Sequence, residues 1–241
     1  VFVVFNVEKN IAIIGGTSLL DTASFTGWPD ATVSTGFGPV VMKRSGDNAV
    51  FLQRHGNPCV PPHRINHKAN MSALKELGVR KILAINSVGS LKTAIRPGTL
   101  VVPDDFICPW HIETFFDEEA RYMVPVMDEA FAKDVFGICR MHTRSVRLGG
   151  TYVQTTGPRL ETRAEIRMLK RFGDIVGMTL ASEAALALEL ELPYASVCSV
   201  DNYCHGIREI PLTMDEIFAN VAKNARMIER ILTTFLNRNA A

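Results

Sequence analysis

The chain has no C-x-x-C pair, no apolar run long enough to cross a bilayer and no surplus of charge of either sign. Each absence removes a class of protein. The five cysteines, Cys59, Cys108, Cys139, Cys198 and Cys204, are odd in number and scattered, so neither a disulfide framework nor a zinc site is indicated and buried thiols are expected. No stretch reaches the roughly 18 apolar residues of a membrane helix. The opening "VFVVF" lacks a basic flank and reads as a strand rather than a signal peptide. With 26 basic against 25 acidic residues, well mixed along the chain, a general attraction to nucleic acid or anionic membrane is not expected. Any anion must be held locally. Internal repeats and low-complexity tracts are also missing. These points together predict a cytoplasmic protein with neither nucleic acid nor membrane as partner.

What is present is an ordinary enzyme-like composition, 47% hydrophobic and 21% charged over 241 residues, enough for one large domain with a real core. Short β-rich runs alternate with helical patterns: "IAIIGG", "PVVMKR", "AVFLQR", a helix near 66–77, "KILAIN", "LVVPDDFI", a helix near 128–139 and "GGTYVQTT". A helix near 161–172, "DIVGM", a helix near 182–190, "YASVCSV" and a final helix follow. That order means a single α/β domain on a mainly parallel sheet. In the last helix Ile217, Val221, Ile228, Ile231, Leu232 and Phe235 recur at helical spacing, with Thr213 as N-cap. Residues 103–125, aromatic-rich with three prolines, fit neither template and read as a long ordered loop.

Several strand ends carry polar residues suited to an anion. Gly15-Gly16-Thr17 lets the backbone turn and approach a ligand, but it lacks the lysine of a P-loop and the third glycine of a dinucleotide fingerprint. "QRHG" places Arg54, whose fork suits phosphate oxygens, and His55 just before a turn at Gly56. "INSVGSL" sets Asn86, Ser87 and Ser90 among small residues where open α/β sheets bind ligands. "TTGPRLETRAEI" puts Thr156, Glu161 and Thr162 at a helix start, where Glu161 or Thr162 could simply serve the helix N-terminus. "VGMTLASEAAL" has Met178 and Thr179 at a similar junction, and "SVDNYCHG" ends an apolar strand on Asp201, Asn202, Cys204 and His205. Each alone is equally a turn or a cap.

In order and spacing, "GGTSLLD", "RHG" with "PPHRINHKANMSALKELGV", "NSVGSLKTAIRPGTLVVPDDFI", "TTGPRLETRAE", "VGMT" and "YASVCSVDNY" resemble the trimeric purine nucleoside phosphorylase and methylthioadenosine phosphorylase family. The likeness runs from about Asn10 to Ile217. It implies a twisted mixed sheet flanked by helices, and phosphorolysis of a purine nucleoside by inorganic phosphate as co-substrate, with no metal or organic cofactor. Carried over by position, the resemblance implies a phosphate site of Thr17, Arg54, His55, Asn86, Ser87 and Thr179. Base contacts fall on Glu161 and Asn202, with Leu160 beside them, and Met178 lies under the ribose. Glu161, Asn202 and His55 are the implied catalytic residues.

The resemblance also divides two branches. Members that act on 6-aminopurines carry Ser and Asp where this chain has Glu161 and Asn202, and those for 6-oxopurines carry Glu and Asn. The chemistry agrees, because a carboxylate accepts from the N1–H of a 6-oxopurine, whereas adenine N1 has no proton to give. At the 5′ end, Met214 takes the place of a histidine and Ile217 follows one turn on, an apolar pair suited to a methylthio group. Met123 or Val124 resembles the segment lent by a neighbouring subunit, so a homotrimer or homohexamer is implied, with the loop from Trp110 to Phe116 at an interface. Methylthioinosine is the first expectation, with inosine or guanosine possible substrates. Methylthioadenosine is the rival substrate. A hydrolase is disfavoured by the anion donors, and a nucleoside-binding regulator without turnover is the remoter alternative.

Overall fold

The computed structural model describes residues 10–16, 19, 22–46, 49–110, 113–209 and 211–240. The segment "VFVVF", expected from sequence to be a strand, and Thr17 lie outside the described residues. Among the described residues eleven strands form one mixed sheet in the order β2-β3-β4-β1-β5-β10-β9-β7, with β11, β6 and β8 branching from β5. The elements are β1 (Ile11–Gly15), β2 (Asp30–Thr35), β3 (Gly38–Arg44), β4 (Ala49–Gln53), α1 (His67–Glu76) and β5 (Lys81–Ser90). Next come β6 (Leu100–Val102), β7 (Asp105–Ile107), α2 (Glu129–His142), β8 (Val146–Leu148) and β9 (Thr151–Gln154). The chain closes with α3 (Arg163–Leu169), β10 (Ile175–Gly177), α4 (Leu180–Glu189), β11 (Tyr194–Tyr203) and α5 (Met214–Ala240).

Alternation along the central strands sends apolar side chains to both faces, as a sheet covered on both sides requires. Ala12, Ile14, Ile82 and Ala84 meet Met71 and Leu74 of α1 and Leu180 and Leu186 of α4. Ile11, Ile13, Leu83 and Ile85 meet Val135 and Ile138 of α2 and Ile228, Leu232 and Phe235 of α5. The helices start where their caps dictate: Asn66 accepts from the Ala69 N–H at 3.0 Å, and Asp128 from that of Phe131 at 2.8 Å. Thr213 accepts from Glu216 N–H at 3.2 Å, as the sequence predicts for the last helix. The apolar stripe of that helix changes role midway, since Ile228, Ile231, Leu232 and Phe235 fill the core while Ile217 and Val221 face a cavity.

The structure also departs from the sequence reading. "LVVPDDFI" splits at Pro103-Asp104 into β6, paired with β11 and β8, and β7, paired with β9, so the supposed loop 103–125 contains a strand. β2 and β8 were not anticipated: β2 lies at the sheet edge with little apolar signal, and β8 is only three residues long. Cys59 is exposed and Cys108 half-buried, so only Cys139, Cys198 and Cys204 fit the expectation of buried thiols.

One topological detail makes the site. The first half of β5 runs parallel to β1, ending at Ile14 opposite Ala84. Its last residues, Gly89 and Ser90, instead pair antiparallel with Val176 and Ile175 of β10. β1 and β10 therefore point their C-terminal ends at each other across Ile85–Val88, leaving a gap in the sheet. Such a divergence of neighbouring strand ends is where open α/β sheets take ligands.

Candidate active site

A cavity of about 750 Å³ opens from this gap to the first half of α5. Its wall includes Gly16 after β1, Arg54 and His55 after β4, Ser87 on β5, Met178 and Thr179 after β10, and Asn202 on β11. Leu160 and Glu161 ahead of α3, and Met214 and Ile217 on α5, also line it as expected from sequence, whereas Asn86 does not. Val88, Pro158, Val176, Leu212, Phe218 and Val221 also line it, adding the apolar walls that sequence reasoning missed. Among the described residues Met123 does not line its own chain's cavity.

The two glycines of the opening motif have steric reasons. A Cβ on Gly15 would sit 2.7 Å from the Phe51 ring, and one on Gly16 would collide with Arg54 Nη1. Arg54 itself is less available than the sequence suggests. Its Nε donates to Glu183 Oε1 at 2.6 Å, Nη2 to Glu183 Oε2 at 3.2 Å and Nη1 to the Ile85 carbonyl at 2.8 Å. Tyr194 Oη donates to Glu183 Oε2 at 2.9 Å. Burial alone would lower the Arg54 pKa, but the adjoining carboxylate outweighs that and holds it above the usual arginine value. The pair is fully internal, with side chains 2% and 1% exposed. Arg54 therefore brings donors to the cavity wall but little net charge. Glu183 was missed in the sequence, although an acid amid the apolar residues of "LASEAALAL" was the available signal.

His55 is likewise fixed from behind. Its Nδ1 lies 2.8 Å from the Val60 carbonyl, so Nδ1 carries the proton and Nε2 keeps a lone pair. Burial, aided by the Arg54 charge, lowers its pKa, leaving the ring neutral at pH 7. Ser87 Oγ donates to Asp201 Oδ2. A bulge between Val200 and Asn202 sets Asp201 out of register, and its Oδ1 accepts from Ser199 Oγ at 2.8 Å and Asn224 Nδ2 at 2.9 Å. Burial raises the Asp201 pKa, opposed by these hydrogen bonds. Asn86 is buried behind Thr179, to whose Oγ1 its Nδ2 donates at 2.9 Å.

At the other end, Thr162 and not Glu161 caps α3. Thr162 accepts from Glu165 N–H at 3.2 Å and Glu165 accepts from Thr162 N–H at 2.7 Å, a reciprocal capping box. Glu161 is thereby left to the cavity, with Oε1 accepting from Thr155 Oγ1 at 2.6 Å. Asn202 donates through Nδ2 to the Tyr203 carbonyl at 3.0 Å. Cys204 is buried beside it, and that burial pushes its thiol well up in pKa, away from nucleophilic use. His205 accepts from Arg163 Nε at 3.0 Å.

Gly89 underlies this corner, because a Cβ there would lie 2.6 Å from Cys204 Sγ and 3.2 Å from Asn202 Nδ2. Overpacking of this kind costs about 1–3 kcal/mol. Gly89→Ala is therefore expected to lower Tm by roughly 2–12 °C; an unchanged Tm would show that Cys204 and Asn202 give way to the methyl without cost.

The sheet gap thus carries Arg54, His55 and Thr179 at one end and a carboxylate and an amide, Glu161 and Asn202, at the other. The chain belongs to the phosphorylase superfamily, whose family model matches residues 10–237. A protein of Archaeoglobus fulgidus named probable 6-oxopurine nucleoside phosphorylase is 39% identical over 227 residues, covering 92% of this chain and 93% of the relative. A Methanocaldococcus jannaschii protein named probable S-methyl-5′-thioinosine phosphorylase is 39% identical over 234 residues, covering 94% and 92%. Among solved structures, a methylthioadenosine phosphorylase sourced from an Antarctic soil metagenomic library superposes with a TM-score of 0.82 at 28% identity, covering 95% of this chain and 87% of that one. The mixed sheet flanked by helices is the fold the sequence resemblance implied.

Proposed function

We propose that this chain catalyses phosphorolysis of 6-oxopurine nucleosides, 5′-methylthioinosine above all, releasing the free base and 5-methylthioribose 1-phosphate. Inosine and guanosine are secondary substrates. The observation that carries this reading is the pairing of Glu161 and Asn202 in the same cavity as Arg54, His55 and Thr179. Glu161 has an oxygen free to accept the base N1–H, while Asn202 can donate to O6 and accept from N7–H. As the glycosidic bond breaks, its electron pair goes to the base and the sugar develops oxocarbenium character. A phosphate oxygen held below C1′ then captures it. The protein attacks nothing itself; it positions two reactants and stabilises charge as it moves. In this reading Met178, on the cavity wall beside Thr179, lies under the ribose, and Met214 with Ile217 offers apolar contact to a 5′-methylthio group.

The reading includes a cytoplasmic homotrimer or homohexamer in which Met123 or Val124 of one subunit reaches the neighbour's pocket. Tyr122, Val124 and Val126 are strongly exposed at 93%, 82% and 72%, and Phe218 at the cavity rim is 63% exposed. Apolar side chains so placed support burial by another subunit. No helix among the described residues is long and apolar enough to cross a membrane.

Purified protein given methylthioinosine is expected to release hypoxanthine only when inorganic phosphate is present. Equal release in phosphate-free buffer would make the protein a hydrolase, and binding without release would make it a nucleoside-binding regulator.

A further inference from the structure

A threonine at a helix N-cap ordinarily turns its oxygen toward the N–H groups of the first turn. Thr179, at the N-cap of α4, does not. Gln154 takes that place, its Oε1 accepting from Ser182 N–H at 3.1 Å, while the phenol of Tyr152 accepts from Thr179 N–H at 3.2 Å and Leu180 N–H at 3.3 Å. Gln154 and Tyr152 are both buried on β9, the strand next to β10, so the substitution is built into the sheet. It leaves the Thr179 hydroxyl without a structural task at the cavity wall.

The polarity of that hydroxyl is then set from behind. Ser196 Oγ donates to Asn86 Oδ1 at 2.7 Å, which orients the amide so that Nδ2 donates to Thr179 Oγ1 at 2.9 Å. Ser196, Asn86 and Thr179 are all buried. A hydroxyl has one proton to give, and accepting from Asn86 leaves that proton for another acceptor. Among the described residues none takes it. The neighbouring Ser87 shows the opposite polarity, since its proton goes to Asp201 and only its lone pairs face the cavity. Asn86 and Ser87, adjacent on β5, thus leave the pocket with one hydroxyl that must donate, that of Thr179, and one that must accept, that of Ser87.

We propose that Asn86 is a positioning residue that, with Tyr152, holds the Thr179 hydroxyl as a hydrogen-bond donor to a phosphate oxygen. The role rests on the phosphorolytic reading above. It replaces the direct phosphate contact expected for Asn86 from sequence, because the side chain reaches the cavity only through Thr179. The donor matters because Glu183 cancels the Arg54 charge, so oriented neutral donors carry much of the anion's recognition.

The test is a cycle of Asn86→Asp and Thr179→Val, with KM measured separately for phosphate and methylthioinosine. Aspartate keeps the shape but can only accept, so it draws the Thr179 proton away from the cavity. Asn86→Asp and Thr179→Val should each raise phosphate KM by at least about tenfold, the scale of one hydrogen bond to a charged group. Nucleoside KM should stay within about twofold. The double variant should be no worse than Thr179→Val alone, and Thr179→Ser should restore wild-type phosphate KM. If a buried aspartate prevents folding, Ser196→Ala supplies the second route: it frees the amide to flip and should raise phosphate KM several-fold, an effect that vanishes in the Thr179→Val background. An effect of either change that persists in that background would mean added charge or distortion, and overturns the role, as would a wild-type phosphate KM in Asn86→Asp. A wild-type protein that turns over without phosphate fails earlier, at the reading beneath.

Discussion

Arg54→Ala should lower the stability of the protein by about 3–5 kcal/mol, because it strands the Glu183 carboxylate in the interior without its partner. For a domain of this size that is a fall of roughly 6–20 °C in Tm. The same change should remove phosphate-dependent turnover by at least ten- to a hundredfold, given roughly 1.5–3 kcal/mol for each hydrogen bond to a charged group. The two effects separate in Arg54→Met with Glu183→Leu, since replacing a whole buried pair by apolar groups of similar volume is often neutral. That double variant should regain most of the lost Tm and none of the turnover. Recovery of turnover alongside Tm would show that Arg54 serves the fold only.

The second large effect concerns the base. In the wild-type pocket a 6-aminopurine would turn its N6 donors toward the Asn202 amide and its unprotonated N1 toward Glu161, and each buried mismatch costs roughly 1–3 kcal/mol. Sites built on hydrogen bonds reject analogues lacking the right partner by about 10⁴-fold. A preference of that order for methylthioinosine over methylthioadenosine is expected in kcat/KM. Asn202→Asp with Glu161→Ser should narrow or invert it, as Asp accepts from N6 and Ser removes the opposing carboxylate. A double variant that retains the full wild-type ratio would place base selection elsewhere in the cavity.

Much of the site was legible because strand ends announce themselves: apolar runs that stop on Gly16, Arg54, Ser87, Thr179 and Asn202 converge on one gap. Periodicity also located α5 and its cap, since six apolar positions at helical spacing leave little choice of face. Contacts made across the sheet were not legible. Nothing in the spacing of Arg54 and Glu183 shows that they meet, as 129 residues separate them. The same holds for Asn86, whose place behind Thr179 depends on how β5 passes the end of β10. Glu161 and Thr162 were ambiguous for a local reason, since both can cap a helix and only the geometry of the capping box assigns the task to Thr162. β2 and β8 escaped notice because short edge strands carry too little apolar alternation to register.

The most direct measurement mixes equal amounts of methylthioinosine and methylthioadenosine with the wild-type protein and inorganic phosphate, following both bases by chromatography and sugar phosphate by phosphorus NMR. Phosphorolysis in a 6-oxopurine pocket predicts hypoxanthine and 5-methylthioribose 1-phosphate rising together, one for one, while methylthioadenosine remains. Adenine released as fast as hypoxanthine, or hypoxanthine released without sugar phosphate, would contradict it.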